Sequence, residues 1–254
     1  MSETTTTAAE PLTVALVHGA FVDASSWNGI IQRLQAAGVR VTAPANPLRG
    51  IAADSAYIAS AFEQIPGRVL AVGHSYGGAV ITNAATKARN VVGLVYVAAF
   101  APEEGERLGE VEATSKDSVL NTALVPLHYP TGRGAETAVE LAVDPAKLHD
   151  VVAADLPAEL TAVAAAAQRP VAELAFSEPS GVPAWKTLPS WAVVATGDKA
   201  AGTDVIRSHA QRAGATVTEV DGSHVIMISQ PQAVTDVILS AVAALAEPVP
   251  ARGR

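Results

Sequence analysis

Cysteine is absent from the 254 residues, which removes disulfides, thiolate nucleophiles and cysteine-held metals together. Basic runs are absent too. The formal net charge is −8, so neither a nucleic acid nor an anionic membrane surface is expected as a partner. No apolar run reaches bilayer length: the longest late one, "AVTDVILSAVAALA", is interrupted by Thr235 and Asp236. The opening "MSETTTTAAEP" lacks the basic and apolar regions of a secretory signal and reads as a disordered tail over 1–11. These absences together lead to the expectation of a cytoplasmic protein. What is present is a large apolar fraction, 49% against 17% charged, enough for a sizeable core in one domain carrying an insertion.

Short apolar runs alternate with helical patterns. "TVALV" at 13–17 ends in His18-Gly19, and "SWNGIIQRLQAAG" follows with Trp27, Ile30, Ile31 and Leu34 at helical spacing before Gly38. "VRVTAPAN" reads as a strand, and "DSAYIASAFEQI" as a helix with Asp54 at its N-cap. Residues 68–74 and 91–99 are further strands around a helix over 76–88. Runs this apolar without alternation belong to strands covered on both faces, and strand–helix–strand units at this spacing imply a parallel sheet. The expected class is α/β, a mostly parallel sheet with helices on both faces.

The rhythm stops at Ala101. Up to about Lys186 the text is helical and turn-rich, with no buried-strand run. The sheet pattern then resumes with "SWAVVATGD", "TDVIRSHAQRAG", "ATVTEV" and a last helix. The expected organisation is a core over 12–100 and 187–247, a mostly helical cap over 101–186, and a C-terminal tail over 248–254. An insertion at the C-terminal end of a strand overhangs the place where open α/β sheets bind ligands.

Residues 73–77, Gly-His-Ser-Tyr-Gly, fit G-x-S-x-G with a strand before and a helix after. A nucleophile on so sharp a turn is crowded by the residues two positions away, and glycine at both removes the clash. Ser75 then stands beside a helix N-terminus, where amide donors favour an anion. A serine needs a base. Of the six histidines, His18 belongs to the first turn, His74 points away within the elbow, and His209 reads as a surface residue of an amphipathic helix. His128 and His149 sit in the insertion. His224, in "VDGSHVIMISQP", returns to the C-terminal edge of the sheet and is the expected base. Asp198, ending "SWAVVATGD", is the expected acid, with Glu103, Glu104 and Asp221 as rivals and Asp204 read as a helix N-cap. The order Ser75, Asp198, His224 is that of nucleophile, acid and base in this architecture. The backbone N–H groups of Ala20, in "VHGAF", and of Tyr76 are the expected oxyanion donors. Phe21 is the alternative if the turn is shifted by one, and a candidate pocket wall. His128, Tyr129, Gln168 and Trp185 are further candidates for the pocket.

"LVHGAF…SSW", "APANPLRG", "GHSYGGAVITNAA", "LVYVAAFAPEEGE" and "SHVIMISQP" together resemble the α/β-hydrolase superfamily, from Leu12 to the last helix. Within it the chain resembles a bacterial branch of small hydrolases related to plant methyl-ester esterases and hydroxynitrile lyases. The resemblance implies an eight-stranded-type sheet lacking its first hairpin, a helical cap, a Ser75–Asp198–His224 triad, oxyanion amides at Ala20 and the residue after the serine, and neither cofactor nor metal. One departure stands out: relatives carry an apolar residue and a proline after the acid, where this chain reads "GDKAAGTD". The expected activity is hydrolysis of a small-molecule carboxylic ester through an acyl-enzyme on Ser75. With aromatics at 4% and many alanines and valines, a small or medium apolar acyl or alcohol group is expected. Lyase chemistry on the same three residues and a non-catalytic ligand sensor are the alternatives, and a homodimer is left open.

Overall fold

In the computed structural model, which describes residues 10–246, the apolar runs line up as one parallel sheet. The tails expected over 1–11 and 248–254 lie outside the described residues, apart from Glu10 and Pro11. The first half alternates strictly: β1 (Leu12–Val17), α1 (Asn28–Ala36), β2 (Arg40–Thr42), α2 (Ile51–Glu63), β3 (Arg68–His74), α3 (Tyr76–Ala84) and β4 (Val91–Val97). The inserted segment carries α4 (Leu108–Glu112), β5 (Leu124–Pro130), β6 (Thr137–Val143), α5 (Leu148–Val152), α6 (Ala158–Ala167), β7 (Val171–Ala172) and α7 (Leu174–Ser177). The alternation returns with β8 (Ser190–Ala195), α8 (Thr203–Arg212), β9 (Thr216–Val220), α9 (Ile226–Ser229) and α10 (Pro231–Ala246).

The six-stranded sheet runs β2-β1-β3-β4-β8-β9, and every neighbouring pair is parallel. Parallel neighbours need crossovers, and right-handed crossovers decide which face each helix covers. The chain steps one way from β1 to β2 and the other way thereafter. So α1 lies on the face opposite α2, α3 and α8, and α10 packs beside α1 and against β3, β4 and β8. Strands between two helical layers lose their alternation, and all six residues of β8 are buried. The edge strand β2 is only three residues long with no buried residue, and Pro44, two residues past its end, has no N–H with which to extend the pairing.

The inserted segment differs from the expectation of a mostly helical cap. It holds a three-stranded antiparallel sheet, β5-β6-β7, beside short helices. β5 contains Pro126 and Pro130, which read as turn signals in sequence, yet both are tolerated on an unpaired edge. The N-cap of α2 also differs. Gly50 occupies it, and Asp54 lies inside the first turn. Its buried carboxylate folds back to accept from the backbone N–H groups of Arg49 at 3.0 Å and Gly50 at 3.4 Å, so it serves the helix start from within. Among the described residues no helix is long and apolar enough to cross a membrane.

Candidate active site

The order of strands reverses between β1 and β3, and the loops leaving their C-terminal ends part at that point. Val17 pairs with Gly73, His74 with Val97, Val97 with Val193, and Ala195 with Val220. Five strands thus end at one rim. From that rim come Gly19 and Ala20 after β1, Ser75 after β3, Asp198 after β8 and His224 after β9.

Ser75 has φ 53° and ψ −124°, a conformation that costs a non-glycine residue energy and persists only where its surroundings impose it. The turn is tied on both sides: Ser75 N–H donates to Val97 O at 3.3 Å, and Ser75 O accepts from Gly78 N–H at 2.9 Å and Phe100 N–H at 3.2 Å. A Cβ on Gly73 would stand 2.6 Å from Gly77 O, which is why glycine holds that position. Gly19 is as constrained, since a Cβ there would come within 2.7 Å of Ser75 Cβ.

Across the rim, Ser75 Oγ lies 2.8 Å from His224 Nε2, and His224 Nδ1 lies 2.7 Å from Asp198 Oδ2. A carboxylate only accepts, so Nδ1 carries the ring proton and Nε2 is free to accept from the serine hydroxyl. All three residues are buried. The other Asp198 oxygen accepts from the N–H groups of Ala200 and Ala201, both at 2.9 Å. Where the resemblance leads to a proline, "GDKAAGTD" supplies two amides that fix the carboxylate. Two of the three rivals for the acid role are occupied elsewhere: Glu103 pairs with Lys186 Nζ at 2.6 Å, and Asp221 accepts from Thr196 Oγ1 at 3.2 Å. Asp204 lies in the first turn of α8, while Gly202 is the cap.

The loop carrying Ala20 is clamped from behind. His18 Nδ1 donates to Gly19 O at 2.9 Å, its Nε2 accepts from Asn46 N–H at 2.9 Å, and Asn46 Nδ2 donates to His18 O at 3.0 Å. Burial holds His18 below its usual pKa, so this neutral tautomer is the one the clamp requires. Phe21, at φ 65°, continues the loop in a second strained conformation. On the far side, Tyr76 N–H opens α3 and has no intrahelical acceptor. The Tyr76 hydroxyl donates to Asp54 Oδ2 at 2.8 Å, locking the residue that follows the serine. Burial, then the Asp54 charge, holds that phenol in its protonated form.

Two histidines depart from their sequence reading. His74 does not point away from the serine: its ring lies 4.8 Å from that of His224, centroid to centroid, and its Nε2 donates to His224 O at 3.0 Å. Burial, then the neighbouring His224, keeps His74 far below its usual pKa, so it braces the loop as a neutral donor. His209 is not a surface residue but 4% exposed. Its Nδ1 accepts from Ala101 N–H at 3.1 Å, and burial lowers its pKa to about 4.

The cavity above Ser75 is walled by Ala20, Phe21 and Val22 from the core and by Leu120, Val152 and Phe176 from the inserted segment. Its volume is about 20 Å³. Of the candidate pocket residues only Phe21 reaches it. His128 and Tyr129 lie on β5, where His128 is exposed and Tyr129 is stacked under Arg49 at 4.3 Å. Gln168 is consumed by the backbone of Val143, donating to its O and accepting from its N–H, both at 2.8 Å. Trp185 Nε1 donates to Pro102 O at 3.1 Å. These four side chains are polar or aromatic, whereas Ala20, Val22, Leu120, Val152 and Phe176 are aliphatic or phenyl groups with no signature beyond their place after a strand or in a short helix.

A family model described as the alpha/beta hydrolase family matches residues 14–237. No curated protein matches the sequence. Several solved structures are similar in fold. Polyneuridine aldehyde esterase is 21% identical with a TM-score of 0.76, over 91% of this chain and 99% of that one. The pyrethroid hydrolase PytH is 20% identical with a TM-score of 0.74, over 94% and 100%. Methylesterase MES16 from Arabidopsis is 19% identical with a TM-score of 0.73, over 92% and 99%.

Proposed function

Because the chain belongs to the alpha/beta hydrolase family, we propose that it is a serine hydrolase cleaving a small-molecule carboxylic ester through an acyl-enzyme on Ser75. The observation that carries this reading is the continuous chain from Ser75 Oγ to His224 to Asp198, 2.8 Å and 2.7 Å long, built on a strained serine. Esterases among the proteins of similar fold support the choice of an ester.

His224 Nε2 takes the hydroxyl proton as Ser75 Oγ bonds to the ester carbonyl carbon, whose oxygen becomes the oxyanion. The backbone N–H groups of Ala20 and Tyr76 hold that oxyanion, each worth about 10²–10³ in rate by comparison with other oxyanion donors. The C–O bond to the alcohol then breaks, and His224 returns the proton to the departing alkoxide. Water repeats the sequence on the acyl-enzyme and frees the acid and Ser75. Asp198 keeps the Nδ1 tautomer throughout and stabilises the imidazolium, without taking a proton itself.

The test is hydrolysis of 4-nitrophenyl acetate. Wild type is expected to show a burst of 4-nitrophenol approaching one equivalent, followed by slower turnover. Ser75→Ala should abolish both, and Asp198→Asn should lower kcat by about 10⁴. Turnover that survives in Ser75→Ala would end the acyl-enzyme reading. Near-normal Asp198→Asn would move the acid role elsewhere.

A further inference from the structure

An ester has two arms, and the cavity above Ser75, at about 20 Å³, has room for little more than one water. At least one arm must extend into neighbouring space. Two larger cavities adjoin it. One lies past Leu120 and Phe176, where Leu124 and Leu141 share the lining with Arg107, Glu110, Glu112 and Glu173; an apolar chain gains less there, because it would also cover four charged side chains. The other lies past Phe21 and Val22, which wall both spaces. It has a volume of about 340 Å³, within the range of small-molecule sites. Leu160, Val163 and Ala164 of α6 face Met227 of α9 across it. Leu160 is 46% and Val163 65% exposed, apolar surface that gains by being covered.

We propose that this groove between α6 and the Phe21–Gly29 segment is the subsite for an apolar chain of the substrate, with Phe21 and Val22 as the wall between chain and reacting carbonyl. The proposal rests on the ester reading for its substrate class, and commits to a medium-length, unbranched hydrocarbon arm as the occupant. Asp23, Ser25, Ser26 and Asn28 stand in the same lining, but the Asp23 carboxylate is already held by Ser25 N–H at 2.7 Å and the rest of the wall is apolar, so a hydrocarbon arm is favoured over a sugar or an anionic one. Each methylene buried there adds up to roughly fourfold in kcat/KM.

The test varies one arm at a time, with 4-nitrophenyl alkanoates from acetate to octanoate and with alkyl acetates from methyl to octyl. In wild type kcat/KM should rise at least about thirtyfold along one of the two series, well inside the fourfold-per-methylene ceiling. Ala164→Trp, an exposed helix position whose indole would fill the groove, should cut the long-to-short ratio at least about tenfold. Ala166→Trp, on the same helix outside the groove, should preserve it. A flat profile in both series, or a ratio unmoved by Ala164→Trp, overturns the proposal while leaving ester hydrolysis standing. A second readout needs no turnover: calorimetric binding of octanoate to Ser75→Ala, expected to weaken at least about tenfold when Ala164→Trp is added. If wild type cleaves no ester yet octanoate binding depends on residue 164, the ester reading falls and the groove stands. If binding ignores residue 164, the groove falls.

Discussion

Asp155 belongs to the inserted segment, between α5 and α6, yet its carboxylate acts on the loop of the proposed base. Its Oδ2 accepts from Ser223 N–H at 2.9 Å, and its Oδ1 accepts from Ser223 Oγ. Ser223 directly precedes His224, so these two bonds hold the backbone from which the imidazole reaches Ser75. Hydrogen bonds of this kind contribute about 1 kcal/mol each to stability, but their larger effect is on position, since a misplacement near 1 Å costs about 10² in rate. Asp155→Ala is therefore expected to lower kcat on 4-nitrophenyl acetate by about 10- to 100-fold with a loss of about 1–2 kcal/mol in stability. Asp155→Asn, which keeps one acceptor oxygen, should recover part of the rate. Steady-state kinetics beside urea unfolding checks this, and a stability loss with kcat intact would reduce Asp155 to a structural tie. Nothing in the sequence near residue 155 marks this role. The meeting of Ser75, Asp198 and His224 was legible because each follows a strand closely, in the chain order proposed for nucleophile, acid and base. Asp155 acts over 68 positions, and such pairings leave no local pattern.

At the scale of elements, the elbow between β3 and α3 depends on how closely α3 approaches β1. A Cβ on Gly77 would run into the carbonyl oxygen of Val17 and stand 2.8 Å from that of His18. Neither is a flexible side-chain end that could turn aside; both belong to the backbone that leads to Ala20. Gly77→Ala must push α3 away from β1 and so separate the two proposed oxyanion donors. Overpacking of this kind costs about 1–3 kcal/mol, and kcat should fall about 10²-fold or more. Circular dichroism and ester kinetics on the purified variant check it: a folded protein with wild-type kcat would show that the contact between α3 and β1 does not set the site. The strands at this contact were readable because burial on both faces makes them continuously apolar. β5 was not readable for the opposite reason. Only Leu124 and Tyr129 along it are even half-buried, and its two prolines carry the signature of turns. An exposed edge strand needs little burial and few N–H groups, and those are the signals that a sequence displays. The same absence of signal hid the aliphatic walls of the groove on α6.

For the molecule as a whole, three buried histidines decide the response to acid. His18, His74 and His209 are each held below the usual histidine pKa, burial being the largest cause in every case. A histidine that resists protonation when folded but accepts a proton near pH 6.5 when unfolded stabilises the fold above that pH. The contribution is lost as pH falls from about 6.5 towards the folded value. Below pH 4 the carboxylates of Asp23, Asp155 and Asp204, lowered in the folded state, extend the loss, because each is more readily protonated once unfolded. Asp54 works the other way, its pKa raised chiefly by burial, so protonation favours its folded form. His209 can be isolated from the rest. Phe100 packs edge-on at 6.1 Å, Arg212 adds a repelling charge, and Glu106 Oε2 stands 3.9 Å from its Nε2. With a folded pKa of about 4, this ring alone accounts for a loss of about 2 kcal/mol between pH 7.5 and pH 5. His209→Gln keeps an acceptor for Ala101 N–H but cannot titrate. Unfolding free energies from urea titrations, measured from pH 7.5 to pH 5, should show wild type losing about that much more stability than the variant as the pH falls. Parallel curves would mean that His209 takes up its proton as readily in the folded chain as in the unfolded one, and the acid response would then rest on His18 and His74, behind and beside Ser75.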